Sequence, residues 1–318
     1  MADAYVPPEP SKMAIPPVES PFVKEFLSSS ELDDATKQQA LFYAENGYLV
    51  IDLELPDFDE MCERMIRDLD EHYPKVDVGR RIDEAWYYND DVRKLAAAPK
   101  VLDVLQLLYQ RPAFPFQTLN FDVGTEQPAH SDTIHFHCMP RRYMVGVWAP
   151  LEDVDAQCGT LFVVPGSHKL PDYDMSELGL LASSDSYRSY EDLVRRILDV
   201  CGLKSQIVEL KRGQAVIWSA NLFHGGSPRL DPKRTRHSQA THYYFEDCMY
   251  YMPMESDTFG GSICYREAID IGTGRMMPQT YRGAPLELAK QKKVFRYPRP
   301  LPQWVTGVPR SLKDRIIG

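Results

Sequence analysis

Long apolar runs are absent: nowhere in the 318 residues do about 18 uncharged apolar residues follow one another, as a bilayer-spanning helix requires. The opening stretch MADAYVPPEPSKMAIPPVESP likewise lacks the apolar segment of a secretory leader. Basic charge is in deficit. Lys and Arg number 36 against 46 Asp and Glu, a net charge of −10 and the wrong sign for a broad face that binds nucleic acid or anionic membrane. CxxC and CxxH spacings are missing too. Cys62, Cys138, Cys158, Cys201, Cys248 and Cys264 are scattered, which argues against a zinc ribbon or a disulfide framework and suits reduced thiols. No internal repeat of solenoid period is present. These absences point to a soluble, cytoplasmic protein whose partner is a small molecule, with neither nucleic acid nor membrane as a partner.

Apolar residues make up 43 % and charged residues 26 %, ordinary proportions for a globular chain long enough to bury a sizeable core. Six prolines crowd residues 1–21 and describe an extended arm, one that packs on the surface or on a neighbouring copy, so that a homodimer is an expectation. Residues 22–318 read as a single domain. Within it Ser30 or Asp33 can cap a helix running to about Asn46 and closed by Gly47, and YLVIDL (48–53) follows as a strand. Phe58, Met61, Met65 and Leu69 fall at helical spacing within 57–72, and a third helix is predicted over about 90–109. From about 114 to 250 the chain turns to short β-type runs, among them FQTLNFDV, YMVGVWAPL, TLFVVPG, QAVIWSA and THYYFED. Such a succession argues for a sandwich or barrel with helices packed outside, interrupted at about 170–202 by a helical insertion containing DLVRRILDV.

The first chemical candidate is His130-Ser131-Asp132. On an extended segment residues i and i+2 project to one side, so an imidazole and a carboxylate can grip one ion there. Alone the pair is uninformative, since a chain of this composition carries about 0.7 His-x-Asp pairs by chance. His224 in SANLFHGGSP and Arg236 in KRTRHSQATHYYF change that. Two histidines and one carboxylate form the facial set that suits iron(II) and leaves three positions open, and a guanidinium on the strand after the distal histidine can hold the far carboxylate of a bidentate organic acid.

The order HSD (130–132), GTLFVVPGSHK (159–169), QAVIWSANLFHGGSP (214–228) and an arginine soon after, with ENGYLVI (45–51) upstream, resembles the phytanoyl-CoA dioxygenase family of iron(II)- and 2-oxoglutarate-dependent oxygenases over roughly residues 33–245. The resemblance implies a mainly β fold with supporting helices, the double-stranded β-helix or jelly roll. It also implies a dioxygenase that uses Fe(II), 2-oxoglutarate and O2. Carried over by position, His130, Asp132 and His224 would bind iron and Arg236 the 5-carboxylate of 2-oxoglutarate. The family's usual place for that arginine, eleven residues after the distal histidine, is Thr235 here; counting back six from His242 gives Arg236, with Arg234 as the alternative. HGGS at 224–227 carries one residue more than the usual HGS. Trp148, sixteen residues after Asp132, falls where family members place a tryptophan near the co-substrate.

Gln117 and Asn120, on the strand before HSD, are expected to reach the C1 end of 2-oxoglutarate. His135 and His137 form an HxH pair that no nearby carboxylate completes, since 140–143 read Pro-Arg-Arg-Tyr, and so are candidates for lining the substrate pocket. His72 and His168 read as structural. Arg141, Arg142 and Lys233 read as solvated charge, and Tyr243, Tyr244, Tyr250 and Tyr251 as aromatic core. The segments 75–90, 170–202 and beyond 250 are expected to shape the pocket. Asp132 retains the carboxylate that related halogenases lose, so hydroxylation is expected in place of halogenation, and a small polar metabolite is the expected substrate because no strongly apolar channel segment or CoA-sized basic cluster stands out. The competing readings are a jelly-roll small-molecule-binding protein without turnover, and a metal-dependent hydrolase on the same ligands, which lacks an HExxH-type base.

Overall fold

Period-two alternation builds the central layer of the molecule. The computed structural model describes residues 14–76, 80–287 and 293–307. In chain order its principal strands are β1 (Tyr48–Asp52), β2 (Ile82–Asp83), β3 (Ala113–Phe121), β4 (His137–Met139), β5 (Met144–Pro150), β6 (Leu161–Val163), β7 (Gln206–Ile207), β8 (Gln214–Ser219), β9 (His224–Gly226), β10 (Ser238–Phe245), β11 (Met249–Tyr251) and β12 (Tyr265–Arg266). The large sheet runs β1-β8-β5-β10-β3-β2 with every pair antiparallel, and a smaller sheet runs β7-β6-β9. Along β8, Val216 and Trp218 join Tyr48, Trp148, Leu161 and Val163 in one apolar cluster, so the two sheets face each other. Ala215 and Ile217 point the other way, into a cluster shared with helical residues. Strands β5 and β10 lie mid-sheet with both faces covered, and every one of their residues is buried. This is the double-stranded β-helix that the sequence led us to expect.

Helices of the N-terminal third cover the outer face of the large sheet, and one further helix packs elsewhere. They are α1 (Val23–Ser28), α2 (Asp34–Asn46), α3 (Phe58–Leu69), α4 (Asp90–Ala96), α5 (Pro99–Tyr109) and α6 (Tyr187–Cys201). Asp33, not Ser30, caps α2 by accepting the Thr36 N–H at 2.9 Å. Phe58, Met61, Met65 and Leu69 of α3 are buried as their spacing predicts. The helix expected over 90–109 is two helices. Pro99 lacks an N–H and disfavours helical backbone in the residue before it, so the chain breaks at 97–98 and restarts with Pro99 in the first turn of α5. Between β6 and β7 the chain makes an excursion that ends in α6, which packs Tyr190 and Val194 on Val164 and Phe223.

Residues 1–13 of the Pro-rich arm lie outside the described residues. Its last part is interior to this chain: Val18 and Ser20 are buried, and Glu19 accepts hydrogen bonds from Ser219 Oγ (2.6 Å) and Tyr109 OH (3.0 Å) while pairing with Arg142 (3.3 Å). All six cysteines are free thiols, and no described helix is long and apolar enough to cross a membrane.

Candidate metal centre

His130 and His224 meet because their backbones pair. His130 N–H donates to the His224 carbonyl at 3.0 Å and His224 N–H returns the bond at 2.9 Å, which sets the imidazole centroids 4.5 Å apart. Such an approach explains the double glycine after His224. A Cβ on Gly225 would stand 2.5 Å from the Gln127 carbonyl oxygen, so the loop that delivers His130 can lie against β9 only where no side chain intervenes. Asp132, at the start of a short 3-10 turn, completes the group. Its Oδ1 lies 3.6 Å from His224 Nε2 and 3.9 Å from His130 Nε2, and the three ligand atoms all fall within 4.8 Å of one another.

The ring orientations are fixed from behind. Nδ1 of His130 is 3.0 Å from the Pro128 carbonyl and Nδ1 of His224 is 3.0 Å from the Leu222 carbonyl. A carbonyl can only accept, so each Nδ1 carries the proton and each Nε2 presents its lone pair to the common point. Asp132 is oriented likewise: Trp218 Nε1–H donates to Oδ2 at 2.7 Å and His242 Nε2 lies 3.5 Å from the same oxygen, which leaves Oδ1 to face the histidines. Burial, with His224 close by, pushes the His130 imidazolium down to about 3, so that ring is neutral at working pH. Burial opposes the Asp132 charge as well, but the neighbouring His224 and His242 outweigh it and hold the carboxyl well below its usual range. Two imidazole nitrogens and one carboxylate oxygen on one side, with a cavity on the other, form a donor set that fits iron(II) with open positions.

That cavity holds about 150 Å³ and opens between the two sheets. Arg236 enters it from the approach to β10. The side chain is buried, Nη1 donates to the Gly159 carbonyl at 3.0 Å, and the guanidinium sits 5.5 Å from the rings of both Phe121 and Trp148. Burial lowers its pKa to about 10, still a cation at neutral pH, and its Nε is buried without a partner. Arg234 instead points to the surface, where it pairs with Asp155 at 3.3 Å. Trp148 lines the cavity, as does Gln117, whose Oε1 is buried and unpartnered.

Asn120 does not reach the cavity. Gln117, Leu119 and Phe121 share one face of β3, and a residue three positions from Gln117 must lie on the other, where Asn120 Nδ2 donates to Gln239 Oε1 at 3.3 Å. The HxH pair divides in the same way. His135 lines the cavity, whereas His137 stacks on Tyr251 at 5.5 Å and lies 3.5 Å from Asp172. His168 bonds the Ala44 carbonyl, Arg142 joins Glu19 to Asp172, Tyr243 bonds the Ala96 carbonyl and Tyr244 stacks on Phe116; all four are structural. Of the segments expected to shape the cavity, only 75–90 contributes to its described lining, through Arg81. Arg81, Gln127, Phe136, Trp218 and His242 are cavity residues that the sequence reading missed. Two of them left a signal: Trp218 alternates with Val216, and His242 with Ala240, on strands already recognised.

Residues 43–238 match the family model described as phytanoyl-CoA dioxygenase (PhyH). The peroxisomal phytanoyl-CoA dioxygenase of Bos taurus is 22 % identical over 259 residues, covering 71 % of this chain and 74 % of its own length. A probable phytanoyl-CoA dioxygenase of Caenorhabditis elegans is 24 % identical over 257 residues, covering 70 % and 79 %. Among solved structures, the epimerase SnoN in complex with Fe3+, alpha ketoglutarate and nogalamycin RO superposes with a TM-score of 0.58 at 21 % identity over 80 % of this chain and 96 % of its own. The non-heme alpha ketoglutarate dependent carbocyclase SnoK from nogalamycin biosynthesis gives 0.56 at 19 % identity over 69 % and 87 %. At these identities the two structures speak for the fold.

Proposed function

The chain belongs to the phytanoyl-CoA dioxygenase family, non-haem iron(II) enzymes that depend on 2-oxoglutarate, and from that premise we propose that His130 Nε2, Asp132 Oδ1 and His224 Nε2 hold the iron and that Arg236 holds the 5-carboxylate of 2-oxoglutarate. The observation that carries this reading is the placement of the three converging ligand atoms and one buried, incompletely partnered guanidinium in a single cavity. When bound, iron(II) and 2-oxoglutarate supply the activation of O2 and the oxidation of a C–H bond, with succinate and CO2 as co-products.

The protein's own share is binding and orientation. The two carbonyl-anchored histidines fix the direction of the open positions, and Trp218 keeps Asp132 from rotating. Trp148 and Phe121 flank Arg236 and its Nε has no partner, so a carboxylate arriving there meets a buried cation with a donor still to place. Gln117 Oε1 is an acceptor without a donor and so suits a hydroxyl or water at the chelating end.

We read residues 22–318 as one oxygenase domain and the reaction as hydroxylation of a small polar metabolite. Arg81, Gln127, His135 and His242 give the cavity a polar wall, which supports a polar substrate over an acyl chain; turnover of an acyl-CoA would overturn that preference. Six free thiols support a reducing compartment such as the cytoplasm, checked by fractionation. A homodimer is tested by light scattering with and without residues 1–13, a cut that spares the buried Glu19. The central experiment is anaerobic addition of Fe(II) and then 2-oxoglutarate. The weak visible charge-transfer band of keto-acid chelation is expected in the wild type and not in His224→Ala; its absence with iron bound would favour a binding protein without turnover.

A further inference from the structure

We propose that Tyr190, on the inserted helix α6, is a positioning residue for the metal centre, its hydroxyl fixing the peptide between His130 and Asp132. The inference rests on the reading of those residues as ligands. Ser131 is buried, and its backbone N–H donates to Tyr190 OH at 3.1 Å. A phenol oxygen that accepts there still has its own proton to place, and Ser131 Oγ lies 3.1 Å away. Ser131 Oγ in turn lies 2.8 Å from Thr133 Oγ1. With Tyr190 donating to Ser131 and Ser131 to Thr133, each of those protons has an acceptor. Burial holds the phenol's pKa up at about 12, which agrees with a donor that keeps its proton.

One side chain thus grips both the main chain and the hydroxyl of the residue that separates the two ligands. His130 and Asp132 project to a common side only while Ser131 stays extended, with φ −108° and ψ 147°. A clamp on Ser131 is therefore a clamp on the angle between the ligand atoms. Tyr190 is itself held, packed among Ile134, Val164, Val194 and Phe223 and stacked on Tyr187 with ring centroids 5.7 Å apart. Tyr187 OH lies 3.3 Å from both Gln127 Nε2 and His135 Nε2, residues that face the cavity. The helix that interrupts the strands is in this way tied to the metal loop by two neighbouring phenols.

The test is an anaerobic titration of the full-length apoprotein with Co(II), whose visible bands report ligand geometry without any turnover. Tyr190→Phe is expected to raise the Co(II) Kd about 10- to 100-fold and to shift the bands. Leu198→Ala, which thins the packing two turns further along the same helix, is expected to lower Tm while leaving Kd and bands as in the wild type. If Tyr190→Phe does not fold, Ser131→Ala serves: it deletes one of the two contacts without touching the helix, and a Kd raised severalfold is expected. Wild-type Kd and bands in whichever variant is measured overturn the clamp. A wild type that does not bind Co(II), or a His224→Ala variant that binds it equally well, overturns the ligand reading and the clamp with it.

Discussion

Trp218 lies flat across Gly146. The two residues pair across β5 and β8, and a Cβ on Gly146 would stand 2.2 Å from two carbons of the indole. No larger residue at 146 lets the ring take that position, and the position matters because the indole N–H donates to Asp132 Oδ2 at 2.7 Å. A glycine in the middle of a buried strand, ordinarily a cost in backbone order, is here the space that aims a donor at a ligand.

Removing either member of that pair should loosen the metal. Trp218→Phe keeps most of the ring and deletes the donor, and Gly146→Ala keeps the donor and displaces it. Both are expected to weaken Fe(II) or Co(II) binding about 10- to 100-fold, measured by metal titration of the apoprotein. Binding equal to wild type in both would show that Asp132 needs no orienting partner.

The two candidate arginines should separate cleanly. Arg236→Ala is expected to raise the KM for 2-oxoglutarate by at least about tenfold, the scale of a lost charge-assisted pair, with metal content unchanged. Arg234→Ala, which loses a surface pair with Asp155 and an exposed bond to the Asp153 carbonyl, should stay within about twofold. The opposite pattern would move the co-substrate end of the cavity to the surface loop.

Why the sequence reached some of this site and not the rest is a matter of range. His130, Asp132 and His224 were legible through the order of motifs that resembles the family, and i and i+2 on one extended segment accounted for the first two projecting to one side. Asn120 was misplaced although the same period-two rule, applied from Gln117, puts it on the opposite face. Arg81 and Tyr190 left no local trace: each reaches the site through pairings between segments far apart in sequence, β2 on β3 and α6 on the metal loop. Pro99 did mark the break between α4 and α5, but the apolar spacing ran across it and masked the signal.

Glu19 should count heavily in stability for a residue of the Pro-rich arm. It brings a buried carboxylate to Ser219, Tyr109 and Arg142, and burial pushes its pKa up. Glu19→Ala strands those donors and part of the Arg142 charge, so a loss of about 2–4 kcal/mol is expected in denaturant unfolding. A loss below about 0.5 kcal/mol would mean that the segment docks without energetic weight.

Glu84 should give the fold a pH dependence of definite sign. It accepts hydrogen bonds from Trp86 Nε1 and the Thr118 N–H and faces Arg266 at 3.9 Å, while Arg266 is ringed by Phe116, Phe136, Phe295 and Tyr297. Burial raises the Glu84 pKa to about 7, against the lowering pull of Arg266. In the unfolded chain the same carboxyl releases its proton near its ordinary value of 4.5. Between those two values the folded state binds more protons than the unfolded one, so stability falls as pH rises through that window. The contribution is full below about 4.5 and lost above about 7, and its size is at most about 3 kcal/mol. Glu84→Gln cannot titrate. The wild type should therefore lose stability relative to Glu84→Gln as pH goes from 5 to 8 in paired denaturant melts. A difference that stays flat, or that runs the other way, would show that Arg266 keeps Glu84 charged throughout.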